Sequence, residues 1–326
     1  MKKSFIILAL GMALLTGCGK EQVASIDSEA YIVAEAVDIP GDTDSETNGI
    51  SFVDALGRNV VVSDPERVVS LLGSFCEEWY LAGGRVVGTV SDTFQNYQLD
   101  LGDTVTDLGS HMEPDVEAIL ALEPDFVIAS SKQDAQTELL ETLENAGITV
   151  AYFDVNNFED YLNSLKIFTD ITGRDDLYTK NGLDVEKEIE KAKEQIDGRK
   201  PTVLFVRAAA TSVKVKGSKG VVGGEILADL DTINIADSDS SLEDLSMEAI
   251  ILADPDYIFV TTQGSKTDEA LANVEELMVK NPAWNSLKAV QNGNYYVIDK
   301  ALYNSKPNAR WGEAYQLLAD IIYPKE

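Results

Sequence analysis

The chain is poor in cysteine, histidine and positive charge: 2 cysteines and 1 histidine, with 26 lysines and arginines against 56 acidic residues. Each shortage excludes something. With His111 alone, no histidine-based catalytic triad with a separate orienting group can be assembled, and Cys76 lies far from it in sequence. No loop ends in GK[ST] and no HExxH occurs, so phosphate-loop and zinc-peptidase chemistry have no motif to stand on. Gly217, Gly220, Gly223 and Gly224 read instead as a turn before a helix. The net charge of −30 repels nucleic acid and anionic lipid alike. After the first twenty residues no stretch is long and apolar enough to cross a bilayer.

The N-terminus is of another kind. Lys2 and Lys3 precede a short apolar run at residues 5–15, followed by Leu15-Thr16-Gly17-Cys18. This is the layout of a signal peptide rather than of a folded helix. It resembles a bacterial lipoprotein signal, which implies that residues 1–18 end in a lipobox and that Cys18 becomes the lipidated first residue of the mature chain. The protein would then sit on the extracytoplasmic face of the cell membrane. Only Cys76 is left after Cys18, so no disulfide can close within the chain and the fold must rest on its core. Cys76, among Phe75, Trp79 and Tyr80, reads as a small buried apolar residue. Residues 19–49 are acidic and rich in Ser and Thr without any period, as in a flexible tether.

The folded part is organised around a repeat. EAILALEPDFVI begins at Glu117, and EAIILADPDYIF begins at Glu248. Five of the twelve positions are identical: the Glu, Ala, Ile, Pro and Asp. Pro124 and Pro255 each stop a helix, and the apolar run after each suits a strand buried on both faces. One copy in each half predicts two similar lobes, 50–174 and 198–326.

Strands alternate with helices throughout, which predicts an α/β fold with mostly parallel sheets. FVDALGRNVVV reads as a hairpin turning at Leu56-Gly57. Ser74 is a plausible N-cap with Glu77 as its capping-box partner. Residues 85–90 read as a strand, 92–103 as a loop, and 132–146, 158–172, 267–279 and 311–322 as helices. Between the halves, 175–197 shows Val185, Ile189, Ala192 and Ile196 on one stripe and Glu and Lys elsewhere. It is expected to be one long helix of roughly 33 Å joining the lobes.

The order and spacing of these features resemble the substrate-binding lipoproteins of ABC importers for iron complexes and cobalamin. The resemblance covers about residues 52–324. It is carried by DALGRNVVV, Pro65-Glu66-Arg67-Val68-Val69-Ser70, Ala82-Gly83-Gly84 with Val86-Val87-Gly88, EAILALEPDFVIAS, and the closing Trp284, Leu287, Ala289-Val290 and Gly293. It implies two α/β lobes bridged by one long helix, a ligand in the cleft, an ABC permease dimer as partner, a monomeric state, and no enzyme activity or resident cofactor. A lipid-anchored hydrolase and a structural surface protein are the competing classes.

In a two-lobed α/β protein the ligand lies at the carboxyl ends of the strands, between the lobes. The loops there bring forward Ser74, Phe75, Phe94, Tyr97, His111, Met112 and Lys132 from the first half, and Arg207, Gln263, Tyr303 and Arg310 from the second. Arg207 either faces an anionic chelate or is an ordinary surface arginine. Arg310 either lines the cleft or packs against the connecting helix. Gly109-Ser110-His111-Met112 is similar to the loop in Gram-positive haem-uptake lipoproteins where a methionine ligates iron, and Met112 falls on that methionine. The second ligand of that family, a histidine, would fall near Gln263. Haem and a ferric siderophore are therefore both open, with a corrinoid behind them. The resemblance also implies that Glu117 and Glu248, the first residues of the two repeat copies, pair with arginines of the permease.

Overall fold

The structure, a computed structural model, describes residues 49–237 and 247–325. The signal peptide, Cys18 and all of the tether except Gly49 lie outside the described residues. The chain opens with an antiparallel hairpin of β1 (Ile50–Val53) and β2 (Asn59–Val62), with Gly57 in the turn at φ 76°. β3 (Val68–Ser70), β4 (Gly88–Thr89) and β5 (Thr106–Asp107) follow. A small hairpin of β6 (Gly109–Ser110) and β7 (Glu113–Pro114) comes next, then β8 (Phe126–Ser130) and β9 (Thr149–Phe153). The first sheet is parallel throughout, in the order β5-β4-β3-β8-β9.

The second sheet holds β10 (Thr202–Ala209), β11 (Ser212–Lys216), β12 (Ile233–Asn234), β13 (Tyr257–Thr262) and β14 (Tyr295–Val297). Its order is β11-β10-β13-β14, with β12 beside the start of β10, and only β11 runs antiparallel. β8 and β13 are buried at every residue, as strands covered on both faces must be. The chain is thus α/β, with a parallel sheet in the first lobe and a mostly parallel one in the second.

The repeat has one structural job in both lobes. Asp125 accepts hydrogen bonds from the backbone N–H of Glu66 and Arg67, at 2.8 and 2.9 Å, just ahead of β3. Asp256 accepts from the N–H and hydroxyl of Thr202, at 2.7 and 2.8 Å, at the first residue of β10. Each Pro-Asp therefore pins the neighbouring strand in register. The residues before the prolines, Glu123 and Asp254, both sit at positive φ, 46° and 41°. The two copies turn out of their helices through the same uncommon backbone conformation.

Among the helices, Phe158–Thr172 has the expected bounds, opened by a capping box of Asn157 and Asp160 and closed by Gly173 at φ 68°. The closing helix is Trp311–Ile322. Elsewhere the structure corrects the reading. Residues 92–103 are not all loop: Ser91–Asn96 is a helix, too short to show a period, held by Thr93 against Thr89 at 2.8 Å. Ser74 is not an N-cap. The helix Gly73–Leu81 starts one residue earlier, and Glu77 bonds Asn308 instead of closing a box. The strand foreseen over 85–90 shrinks to β4. Residues 132–146 form two short helices, Asp134–Thr137 and Leu140–Asn145. Residues 267–279 change from α to π at Glu275.

The helix foreseen over 175–197 ends at Lys193 and is interrupted by a π turn at Thr179–Leu183. Tyr161 donates its hydroxyl to the Asn181 carbonyl at 2.9 Å, and the Asn181 amide donates to Leu81 O at 2.8 Å. The first bond takes up a carbonyl that a regular helix would keep to itself, and the second, from the side-chain Nδ2, anchors the turn to the end of the helix Gly73–Leu81. Beyond the turn, Val185, Ile189 and Ala192 are buried. A Cβ on Gly312 would lie 2.6 Å from the Cβ of Glu188, so the two helices are too close at that point for a side chain.

One apolar cluster runs from Phe75, Phe126 and Phe168 at the first sheet through Ile189 to Phe205, Phe259 and Leu318 at the second. Trp311 meets Phe158 edge to face at 6.2 Å, and the buried Asn308 amide donates to Ser74 O at 2.9 Å and to Glu77 at 2.7 Å. A packed core shared by two sheets resists wide bending. Scattering curves of the protein with and without ligand are therefore expected to superimpose nearly, and a change of several ångströms in radius of gyration would contradict this.

Candidate functional site

The carboxyl ends of β3 and β8 and the β6–β7 hairpin are tied together by one buried side chain. Gln136 Nε2 donates to Leu71 O at 2.7 Å and to His111 O at 2.9 Å, and its Oε1 accepts from Ser130 N at 2.8 Å. Tyr152 Oη in turn donates to Gln136 O at 2.7 Å. One glutamine thus holds three loops that the sheet brings to a common edge. His111 stands on this edge with Nδ1 3.7 Å from Asp92 Oδ1. Met112, next to it, is 60 % exposed. Tyr97 reaches the Ser74 side chain. Lys132 pairs with Asp154 at 2.9 Å.

The facing wall comes from β10, β11 and residues 303–308. Phe205 and Arg207 of β10 lie on one face, directly opposite Lys216 and Lys214 of β11. The other face, with Leu204, Val206 and Val215, packs into the second lobe's own core. The alternation SVKVK is what places the lysines on the Arg207 side. Phe205, Arg207 and Tyr303 line a cavity of about 110 Å³ together with Val155, Asn156 and Lys306. The Lys306 ammonium stands 5.1 Å over the Phe75 ring. Burial lowers its proton affinity, an effect opposed by the nearby carboxylates of Asp154, Glu78 and Asp92.

A cavity of this size admits one limb of a chelate rather than the whole, since sites that enclose a drug-sized ligand run to roughly 300–1,000 Å³. A larger hollow of about 430 Å³ lies at Arg199, Pro201, Asp256 and Asn294, at the amino ends of β10 and β13. There the Asp256 carboxylate is already engaged by Thr202 and by Lys288 at 3.0 Å. Ligands in open α/β sheets gather at the opposite, carboxyl ends.

The expected residues divide accordingly. Arg207 and Tyr303 share the cavity. His111, Tyr97 and Ser74 gather at the Asp92 corner, Met112 follows His111 and is exposed, and Lys132 stands beside Asp154. Phe94, 42 % exposed, lies on the short helix beside them. Phe75 does not line the groove: it is wholly buried and packs on Phe153, because the first turn of its helix faces the core. Arg310 turns away into a two-pronged pair with Glu313 on its own helix, at 2.7 and 2.9 Å. Gln263 is exposed at the end of β13, with its backbone N–H donated to Ala208 O.

Sequence reasoning placed the loops holding Asp92 and Lys306 at the strand ends without singling those residues out, and it missed Gln136, Phe205, Lys214 and Lys216. Only the SVKVK alternation carried a signal, a strand with one basic face. Two buried groups near the groove are ionisable without being solvated. Burial pushes the Cys76 thiol up to about 12, so it is no thiolate nucleophile. Burial also pushes Glu78 up to about 8, against the opposing bond from Ser164.

Two α/β lobes with a groove between them, walled by strand ends on both sides, define a binding protein of the periplasmic type. The chain belongs to the periplasmic binding protein family, whose model matches residues 68–302. It is 26 % identical over 253 residues to the Fe(3+)-citrate-binding protein YfmC of Bacillus subtilis, covering 76 % of this chain and 77 % of that protein. Its fold matches Staphylococcus aureus SirA complexed with staphyloferrin B at a TM-score of 0.66 and 21 % identity, covering 84 % of this chain and 97 % of SirA. It also matches Staphylococcus aureus IsdE complexed with heme at a TM-score of 0.65 and 18 % identity, covering 79 % and 99 %.

Proposed function

We propose that the protein is the substrate-binding component of an ABC importer, capturing an iron complex between its lobes and delivering it to a membrane permease. It would work on the extracytoplasmic face of the membrane, held there through Cys18. The observation that carries the ligand class is the basic inner wall. A chain of net charge −30 puts Arg207 and Lys306 in the lining of one cavity, with Lys214 and Lys216 beside Arg207 on the same face of the sheet. Such a wall favours an anionic ferric chelate, and a relative named for ferric citrate points the same way. Haem remains the second reading, supported by the exposed Met112 beside His111 and by the likeness to a haem-complexed structure.

Titration of the soluble protein with ferric citrate, a ferric siderophore and hemin tests this, read by tryptophan fluorescence and the Soret band. Saturable quenching by a ferric chelate without a Soret shift supports the first reading, and a sharpened Soret band the second. No response to any iron complex overturns both. Replacing Arg207 with Ala is expected to weaken an anionic chelate by about 1.5–3 kcal/mol, the value of a hydrogen bond to a charged group.

Docking is proposed at the two repeat copies. Glu117 is exposed in the first turn of the helix Val116–Ala121, and Glu248 is exposed in the first turn of the helix Met247–Ala253. Their matching places, one per lobe, suit a two-part permease. An exposed ion pair contributes only about 0.2–1 kcal/mol, so the effect should fall on orientation and association rate. The double variant Glu117→Ala, Glu248→Ala is expected to bind ligand as before and to slow uptake, most at low salt, where the ion pairs of the wild type are least screened. Uptake at the wild-type rate would exclude these residues.

A further inference from the structure

The groove holds one group whose arrangement the capture of an anion does not use. His111 is the chain's single histidine. Its backbone is clamped by the fully buried Gln136, at 2.9 Å from Nε2 to His111 O. Its ring is set against Asp92, whose Oδ1 is buried and has no hydrogen-bond partner, and that same oxygen is the one 3.7 Å from His111 Nδ1. The Asp92 carboxylate lies close to the backbone N–H of Gly73 at the start of the helix Gly73–Leu81, which favours its charged form. A Cβ on Gly73 would lie 2.7 Å from both Asp92 Oδ2 and the Tyr97 ring, so a side chain there would push these two aside.

At 3.7 Å the carboxylate oxygen is beyond hydrogen-bond reach of Nδ1, and its charge favours the tautomer that carries its proton on Nδ1. The Nε2 lone pair is then left for something else. A carboxylate behind an imidazole is the arrangement that orients a metal-binding histidine and raises its basicity. Among the described residues no three His, Cys, Asp or Glu side chains are grouped to hold a metal ion on their own. The histidine can therefore complete the coordination of an iron that arrives already chelated, and cannot build a resident site.

We propose that His111 Nε2 ligates the iron of the bound complex directly, with Asp92 and Gln136 as positioning residues, so that the cargo is an iron complex with an open or water-filled coordination position. The step is a ligand exchange. The Nε2–iron bond forms, an iron-bound water leaves, the Nδ1 proton stays facing Asp92, and no electron is transferred. Chelates that occupy all six positions gain nothing from His111. This rests on the reading of the groove as an iron-complex site.

The test compares two probes on the soluble protein: ferric nitrilotriacetate, which leaves iron positions to water, and ferric desferrioxamine B, which leaves none. With one histidine in the native chain, imidazole-nitrogen modulation in the electron spin echo of the bound iron can come only from His111, provided that no histidine tag is used. The modulation is expected with the nitrilotriacetate complex and absent in His111→Ala. His111→Ala should weaken that complex on the order of a hundredfold and the closed chelate less than twofold. Asp92→Asn, which keeps the shape but not the charge, should weaken the open complex by roughly tenfold, as loss of an outer-shell partner does. Binding of both probes without imidazole modulation, or equal losses for both in His111→Ala, would overturn the inference and leave the iron-complex reading standing. Binding of neither these probes nor hemin nor ferric citrate by the wild type would overturn both.

Discussion

Replacing Glu78 with glutamine is expected to remove most of the fall in stability between acid and mildly alkaline pH. Glu78 is completely buried, its Oε2 has no partner, and Ser164 donates to its Oε1. Burial raises its pKa from an ordinary 4.5 to about 8, opposed first by the Ser164 bond and then by the charge of Lys306. Above pH 4.5 the unfolded chain has released this proton while the folded chain keeps it. Stability from this group is therefore full below 4.5 and is lost as the pH rises through about 8. At about 1.36 kcal/mol per pKa unit, the loss approaches an upper bound of roughly 4–5 kcal/mol.

Glu78→Gln keeps the shape and cannot ionise. Near pH 5 it should match the wild type, and near pH 8 it should be more stable by up to about 4 kcal/mol. Glu77, also raised by burial, leaves a smaller slope of the same sign. Lys306, lowered by burial, acts in the opposite sense, its share being lost as pH falls below 10.5. Urea titrations at several pH values decide the matter. Parallel profiles for variant and wild type would show that Glu78 is ionised in the folded protein.

Trp311→Ala is expected to be the most disruptive single change at the junction of the lobes. Trp311 is fully buried and packs edge to face on Phe158, in the cluster shared by both sheets. Truncating a buried tryptophan to alanine costs about 3–5 kcal/mol in transfer and cavity terms. Trp311 Nε1 is a buried donor with no partner. Trp311→Phe removes that unsatisfied group while keeping most of the ring, so it should cost about 1.5 kcal/mol or less. The contrast between the two variants, measured by denaturant midpoint at unchanged m-value, is the informative quantity. Equal losses would mean that the indole N–H is satisfied in solution.

What the sequence determined by itself was whatever depends on near neighbours. The stripe and caps of Phe158–Thr172 and the apolar face of Trp311–Ile322 are local patterns, and both helices lie where the spacing puts them. The repeat was visible as five identities, and its tertiary meaning, Asp125 and Asp256 pinning β3 and β10, follows from Pro-Asp chemistry repeated once per lobe. Arg207 and Tyr303 could be placed at strand ends because parallel sheets put ligands there.

Only the tertiary structure decided what meets across the groove. Asn308 reaches Ser74 over 234 residues, Gln136 reaches Leu71 over 65, and Phe75 is buried because Phe153 arrives from β9 to cover it. Tyr161 draws on the Asn181 carbonyl from another helix, which no count of the intervening apolar residues foretells. Asp92 and His111 look like unrelated loop residues until two strand ends bring them face to face. Periodicity reports which side of an element is apolar. Which polar atoms converge is set by how the sheets and lobes pack, and that information is distributed over the whole core rather than written beside the residues it positions.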